Sequence, residues 1–284
     1  MFTHYRYYRY CLIWFIIFGC TQLYGQTKNN IMSIDDRIYA IYQRGCSHLR
    51  DSLIFTYMDS MVVLAKKYHD PKAEAVAYTL PLRYYFRNND EDGMEKAVAK
   101  CKQIARKNGY LQYFYYAYNE QCTMLINMKE YNKVKQVLKE TQEWAQKDNL
   151  DYGWAICYSQ LGHLARHTYN YNLAIDYYKK ARDYYEDANQ SLSTLYIYIA
   201  SCYSSMHDHD IAKFYYEQSY QAAVSDQERM TALVQMANFA NQHMRYEDLD
   251  DLYERIQELS KTCGEPTDAY YVYVKLKHYI NNKR

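Results

Sequence analysis

Two histidines four residues apart, His163 and His167 in "HLARH", are the first residues whose spacing could do chemistry. On a helix they share one face and could hold a metal ion. The glutamate that follows the first histidine in a zinc protease is absent, so a pair of polar side chains lining a groove is the preferred reading. A second group, "HDHD" at 207–210, falls in a turn, where Asp210 or its neighbour is expected to cap the following helix. A third, "NNDEDG" at 88–93, has the composition of a calcium loop but not the spacing to a distal bidentate glutamate. It is read as a solvated turn. No GxSxG, GxGxxG, P-loop or HExxH motif occurs, so no catalytic residue, metal or cofactor is assigned. A hydrolase using His163 and His167 stands as the third-ranked reading.

The cysteines offer less than their number suggests. Cys11 and Cys20 lie near the N-terminus, and Cys46, Cys101, Cys122, Cys157, Cys202 and Cys263 are scattered singly with no CxxC. Most fall where a helix needs a small apolar residue, so they are read as core filler rather than as a disulfide framework. The 34 Lys and Arg balance 33 Asp and Glu without a basic block, which argues against a nucleic-acid partner. With 8 Gly and 3 Pro among 284 residues, turns and phosphate-cradling loops are poorly supplied. Tyrosine dominates, at 38 residues against 8 Phe. Its ring packs while its hydroxyl wants water or a partner, which suits an elongated helical stack.

Residues 1–25 read as a signal peptide, with Arg6 and Arg9 ahead of the short apolar run "CLIWFIIFG". That run is too short to span a bilayer permanently. One cleavage reading ends the signal at Gly25. The other takes "IFGC" as a loose lipobox with Cys20 as a lipid-bearing first residue, the one route to a membrane. Phe18 departs from the small residue usual in a lipobox, and the first reading is preferred. Residues 26–284 then form the mature domain, with 32 basic and 33 acidic residues.

The elements that would position any site emerge from "CYSQLGHLARHTYNYNLAIDYYKKA", residues 157–181. Leu161, Gly162 and Ala165 follow Tyr158 on one helical face. Ala174, Tyr178 and Ala181 share a face of the next helix, and Tyr171 stands between. Small residues at Gly162 and Ala174 would let the two helices approach, with rings filling the space beside them. The same spacing returns with Tyr196, Ile199, Ala200, Tyr203, Ala212, Tyr216 and Ser219, and again with Leu233, Met236, Ala237, Ala240, Leu249, Tyr253 and Ile256. Upstream it gives Tyr118, Gln121, Cys122, Leu125, Val134, Leu138 and Thr141. Two weaker units have second helices carrying Ala97, Cys101 and Ile104, and Met58, Val62 and Ala65. The equivalent residues Met58, Ala97, Val134, Ala174, Ala212 and Leu249 are separated by 39, 37, 40, 38 and 37 residues.

This pattern resembles the tetratricopeptide repeat over roughly residues 34–282. The resemblance implies an all-α, right-handed αα-hairpin solenoid of about six repeats. The segment "AYYVYVKLKHYINNKR" would be a C-terminal capping helix. Two departures stand out. Tyr85 falls where a small residue is expected, and Pro81 should kink or restart its helix. With a signal at the front, the array also looks like the exported sensor half of bacterial tetratricopeptide signalling proteins, although no kinase or helix-turn-helix output follows.

In the family, the first helices of successive hairpins line a groove. Carried onto this chain, the groove positions are Tyr116, Asn119, Thr123 and Asn127, then Ser159, His163, Arg166 and His167. Thr194, Ser201 and Ser204 follow, then Asn238, Asn241 and Gln242. The row is polar and mostly neutral, and the lysine set with which some adaptors clamp a C-terminal carboxylate is missing. The expected function is therefore non-enzymatic: an exported scaffold binding a protein or peptide. A stand-alone or truncated periplasmic sensor is the alternative, and a glycan-binding lipoprotein ranks lower. Nothing in the sequence sets an oligomeric state.

Overall fold

The structure is a computed structural model, and it describes residues 34–46, 48, 51–188, 190–243 and 248–263. The signal segment, Cys20, the side chain of Cys263 and the expected capping helix lie outside those residues. Among the described residues the chain is all-α, with no strand and with helices packed in consecutive pairs as a helical-repeat solenoid. It divides into two compact units, whose described parts are residues 34–167 and 168–263.

The first unit holds α1 (Asp36–Cys46), α2 (Leu53–Lys67), α3 (Pro71–Ala77), α4 (Leu82–Arg87) and α5 (Glu91–Lys107), followed by α6 (Leu111–Asn127), α7 (Tyr131–Asp148) and α8 (Asp151–His167). Each of α5 to α7 packs on its successor, and α6 also packs on α8, so alternate helices lie side by side. The expected stripe is present: Tyr118, Cys122, Leu125, Val134, Leu138 and Thr141 are buried, and Gln121 is half-buried. Leu161 and Leu164 of α8 pack onto the cluster that Cys122, Leu125, Val134 and Leu138 form.

The turns show why so few glycines suffice. A left-handed residue recurs at His69, Asn89, Gly109, Lys129, Asn149 and Tyr169, with φ between 48 and 76°, and again at His207. After α2, His69 N–H bonds Lys66 C=O and Asp70 N–H bonds Ala65 C=O, the Schellman closure. The same pair of bonds follows α4, α5, α6, α7 and α10. The next residue begins the following helix at once: Asp70 and Asp90 accept from the N–H groups of Ala73 and Gly93. One residue thus closes one helix and caps the next, which fixes a sharp reversal. Only Gly109 adopts the left-handed conformation without a steric cost.

Four sequence expectations need adjustment. In "NNDEDG", Asn88 and Asn89 form the exposed turn expected, while Asp90 is the cap and residues 91–93 the first turn of α5. In α2 the inward line is Ile54, Met61 and Ala65, while Met58 and Val62 are half-buried, because α1 and α3 cover the helix from two sides. In α5, Ala105 is buried and Ile104 half-buried, so the buried position falls four residues on from the buried Cys101 rather than three. Tyr85 is accommodated from the opposite side: a side chain at Gly93 would collide with its ring, so the small residue sits on α5 instead. Pro81 does restart the helix, with α3 ending at Ala77 and α4 beginning at Leu82.

The second unit holds α9 (Tyr171–Asp187), α10 (Ser193–Ser205), α11 (His209–Gln221), α12 (Asp226–Gln242) and α13 (Leu249–Cys263). Neighbours pack in order, and α10 lies beside α12. Ala200, Ala212, Tyr216, Leu233, Met236, Ala237, Ala240, Leu249 and Ile256 form its core, matching the register read from the sequence. Asp208 rather than Asp210 occupies the cap position of α11, and its side chain makes no capping bond, so the capping expectation fails there. Asp210 lies in the first turn, where its charge opposes the positive end of the helix dipole.

Candidate functional site

In the first unit, the candidate residues of α6 and α8 sit on two adjacent helices. Gln160 joins them. Its Nε2 donates to Asn119 Oδ1 at 2.6 Å and to Thr123 Oγ1 at 3.2 Å, and the residue itself is only 1% exposed. Asn119 Nδ2 in turn donates to Glu120 Oε1 at 3.2 Å. Tyr116, Ser159 and His163 are buried, whereas Asn119, Thr123, Asn127, Arg166 and His167 are half-buried. The row therefore lies lower than a freely solvated surface. Gln160 Oε1 and Asn127 Oδ1 are buried without a hydrogen-bond partner among the described residues. A buried acceptor left in that state is costly.

The electrostatics at the end of α8 run one way. Burial lowers the His163 pKa well below its ordinary value, and the nearby Arg166 and His167 add to the effect. Burial, together with Arg166 and Lys129, brings His167 down to about 4. Both rings are therefore neutral at pH 7, each able to donate one hydrogen bond and accept another. Neither has the charge to act as an electrostatic clamp. Among the described residues no group of three or more His, Cys, Asp or Glu is arranged to hold a metal ion.

The first unit also holds a polar cluster joining α5, α6 and α7. Arg106 makes a bidentate pair with Asp148, one arm at 2.7 Å, and its guanidinium stacks 3.9 Å from the Trp144 ring centroid. Tyr115 donates to Asp148 at 2.7 Å, and Tyr118 donates to Glu140. Burial works against the Asp148 carboxylate, but the bonds from Arg106 and Tyr115 outweigh it and hold its pKa below the usual value. Lys102 lies 3.8 Å over the Tyr118 ring, a cation–π contact. These groups join α5, α6 and α7 through charge-assisted hydrogen bonds.

In the second unit, Asn238 and Asn241 are buried on α12, and each leaves its Oδ1 without a partner among the described residues. Thr194 is buried, Ser201 half-buried and Gln242 exposed. Ser204 Oγ lies 3.0 Å from His243 Nε2. The His243 ring is 4.1 Å from that of His209, and Phe239 packs on both. The turn histidines are thus part of an aromatic cluster. Cys101, Cys122 and Cys157 are free thiols, and they and Cys202 are buried like small apolar residues, while Cys46 is half-buried.

Gln160 was missed from the sequence because its position in the repeat belongs to no carried-over groove position. Glu228 was missed as well, although Ser225-x-x-Glu228 is a legible capping box. No family model matches the chain, and no curated protein does. Among solved structures it is similar to the crystal structure of BtubC (BKLC) from P. vanneervenii, with a TM-score of 0.50 and 10% sequence identity, over 82% of this chain and 95% of that one. At that identity the likeness concerns the fold: helices paired in a repeat array.

Proposed function

We propose that this chain is an exported, non-enzymatic scaffold of the tetratricopeptide type that binds a protein or peptide segment along its alternate helices. The observation that supports it is the side-by-side packing of α6 with α8 and of α10 with α12, which gathers neutral amide and hydroxyl groups on the same helices in each unit. Asn119, Thr123, Gln160 and Asn127 supply them in the first unit, and Asn238 and Asn241 in the second. Unsatisfied carbonyl oxygens of this kind suit backbone N–H donors better than they suit charged ligands. Export rests on residues 1–25. No helix among the described residues is long and apolar enough to cross a membrane.

The test is a screen of displayed random peptides against the purified mature chain, followed by affinity measurement on selected ligands. Gln160→Ala and Asn238→Ala are compared with the parent after each variant is shown to melt cooperatively. At least a tenfold loss of affinity, about 1.4 kcal/mol, is expected for the variant in the contacted unit. Selected peptides that bind every variant equally would place recognition on other helices.

A further inference from the structure

Glu228 does something its place in a capping box does not require. It is buried, in the first turn of α12, and its backbone N–H is capped by Ser225 Oγ at 3.2 Å. In a standard capping box its side chain would return to the Ser225 N–H. Here Oε2 instead accepts from the Val224 N–H at 2.9 Å and from the Ser191 hydroxyl at 2.7 Å. Val224 belongs to the turn between α11 and α12, and Ser191 to the turn between α9 and α10. One carboxylate oxygen therefore ties together two turns that are 37 residues apart in the chain at the Ser191–Glu228 contact. The tie continues inward: Ser193 N–H donates to Ser191 Oγ at 3.3 Å, and Ser193 Oγ lies 3.2 Å from Ser219 Oγ, which is fully buried.

We propose that Glu228 is a proton-operated tie, holding the α9–α10 and α11–α12 turns together more firmly in acid than in base. On α12 itself are Asp226 and Arg229, paired with each other at 2.7 Å, and Asp226 also receives the Thr262 hydroxyl of α13 at 3.3 Å. On α11, Glu217 is engaged by Arg255 of α13 at 3.4 Å. The adjoining ends of α10 and α11 contribute the hydroxyls of Ser193 and Ser219. Among the described residues no cation is bonded to the Glu228 carboxylate. Burial raises the Glu228 pKa above its ordinary value, and the bonds from Val224 and Ser191 and the charge of Arg229 only partly offset this. The sign follows from linkage. A carboxyl whose folded pKa is raised contributes stability below its unfolded pKa and loses it as pH rises through the folded one. Opening the turns returns the carboxylate to water, so deprotonation favours opening.

The test is native-state hydrogen exchange on the full chain at pH 5 and pH 8, corrected for intrinsic exchange rates and read at the amides of Ser193 and Val224. In the parent chain both amides should be better protected at pH 5. In Glu228→Gln, which keeps the shape without the charge, that pH dependence should disappear. Ser191→Ala removes one donor and leaves the carboxylate, so protection at Ser193 should fall while the pH sense at Val224 is retained. The tie is overturned if Glu228→Gln keeps the parent's pH dependence, or if the parent's turns are better protected at pH 8. Unchanged protection in Ser191→Ala would also overturn it. None of these readings depends on a ligand, so failure of the peptide-binding reading would leave them intact.

Discussion

Acid should loosen the first unit through the histidines at the end of α8. The His167 pKa is brought to about 4 by burial and by the neighbouring Arg166 and Lys129, against an ordinary value of 6.5. A base held below its unfolded pKa contributes stability above that pKa and loses it as pH falls toward the folded one. The window is therefore pH 6.5 down to about 4. The full shift corresponds to about 3 kcal/mol, and at pH 5 about 2 kcal/mol of it should already be gone. For a unit of this size that is roughly 5–10 °C in Tm. His163 acts in the same direction, since its protonation is opposed by burial, Arg166 and His167. The assay is calorimetry of the full chain from pH 8 to pH 5, comparing the parent with His167→Gln and with the double variant His163→Gln/His167→Gln. The parent's first-unit transition should fall over this range, less so in His167→Gln and least in the double variant. Equal acid slopes in all three proteins would refute the reasoning.

Four further outcomes follow from packing and backbone. A Cβ at Gly153 would lie 2.8 Å from the Tyr115 ring and 3.0 Å from Ala145 Cβ. Since Asp148 pins that ring at 2.7 Å, Gly153→Ala should cost about 1–3 kcal/mol in urea unfolding. Gly109 has open space around it but φ +76°, so Gly109→Ala should cost about 1 kcal/mol through the backbone alone. Lys129, held at φ 63°, is the converse case: Lys129→Gly should stabilise by about 0.5–1 kcal/mol, measured by urea midpoint. Gly162 is buried in α8, and Gly162→Leu should lower Tm well beyond the change in Gly109→Ala.

The helix pairing was legible because the signal is cooperative. Cys122, Val134 and Leu138 in the first unit, and Ala200, Ala212 and Ala237 in the second, satisfy one spacing repeatedly, and they lie in the cores of their units. The turns were much less legible. A left-handed position usually announces itself with glycine or asparagine, as at Asn89, Gly109 and Asn149, yet His69, Lys129, Tyr169 and His207 fill the other four. Tertiary closure imposes the conformation against local preference. The exchange of small and large between Tyr85 and Gly93 was hidden for a related reason: a contact needs only one small partner, and a fixed template assigns it to one side. For the candidate row, the types were read correctly as neutral and polar, but its depth was not. Whether Asn238 faces water or lies under a neighbour depends on how far adjacent helices rotate, and no spacing within one helix carries that information.

The central reading, a helical array that recognises polypeptide along alternate helices, is most directly tested by a hydrogen-exchange footprint of the mature chain with a peptide selected against it. Added protection should concentrate on α6 and α8, on α10 and α12, or on both sets. Protection confined to α7, α9, α11 or α13, or no selectable peptide at all, would contradict it.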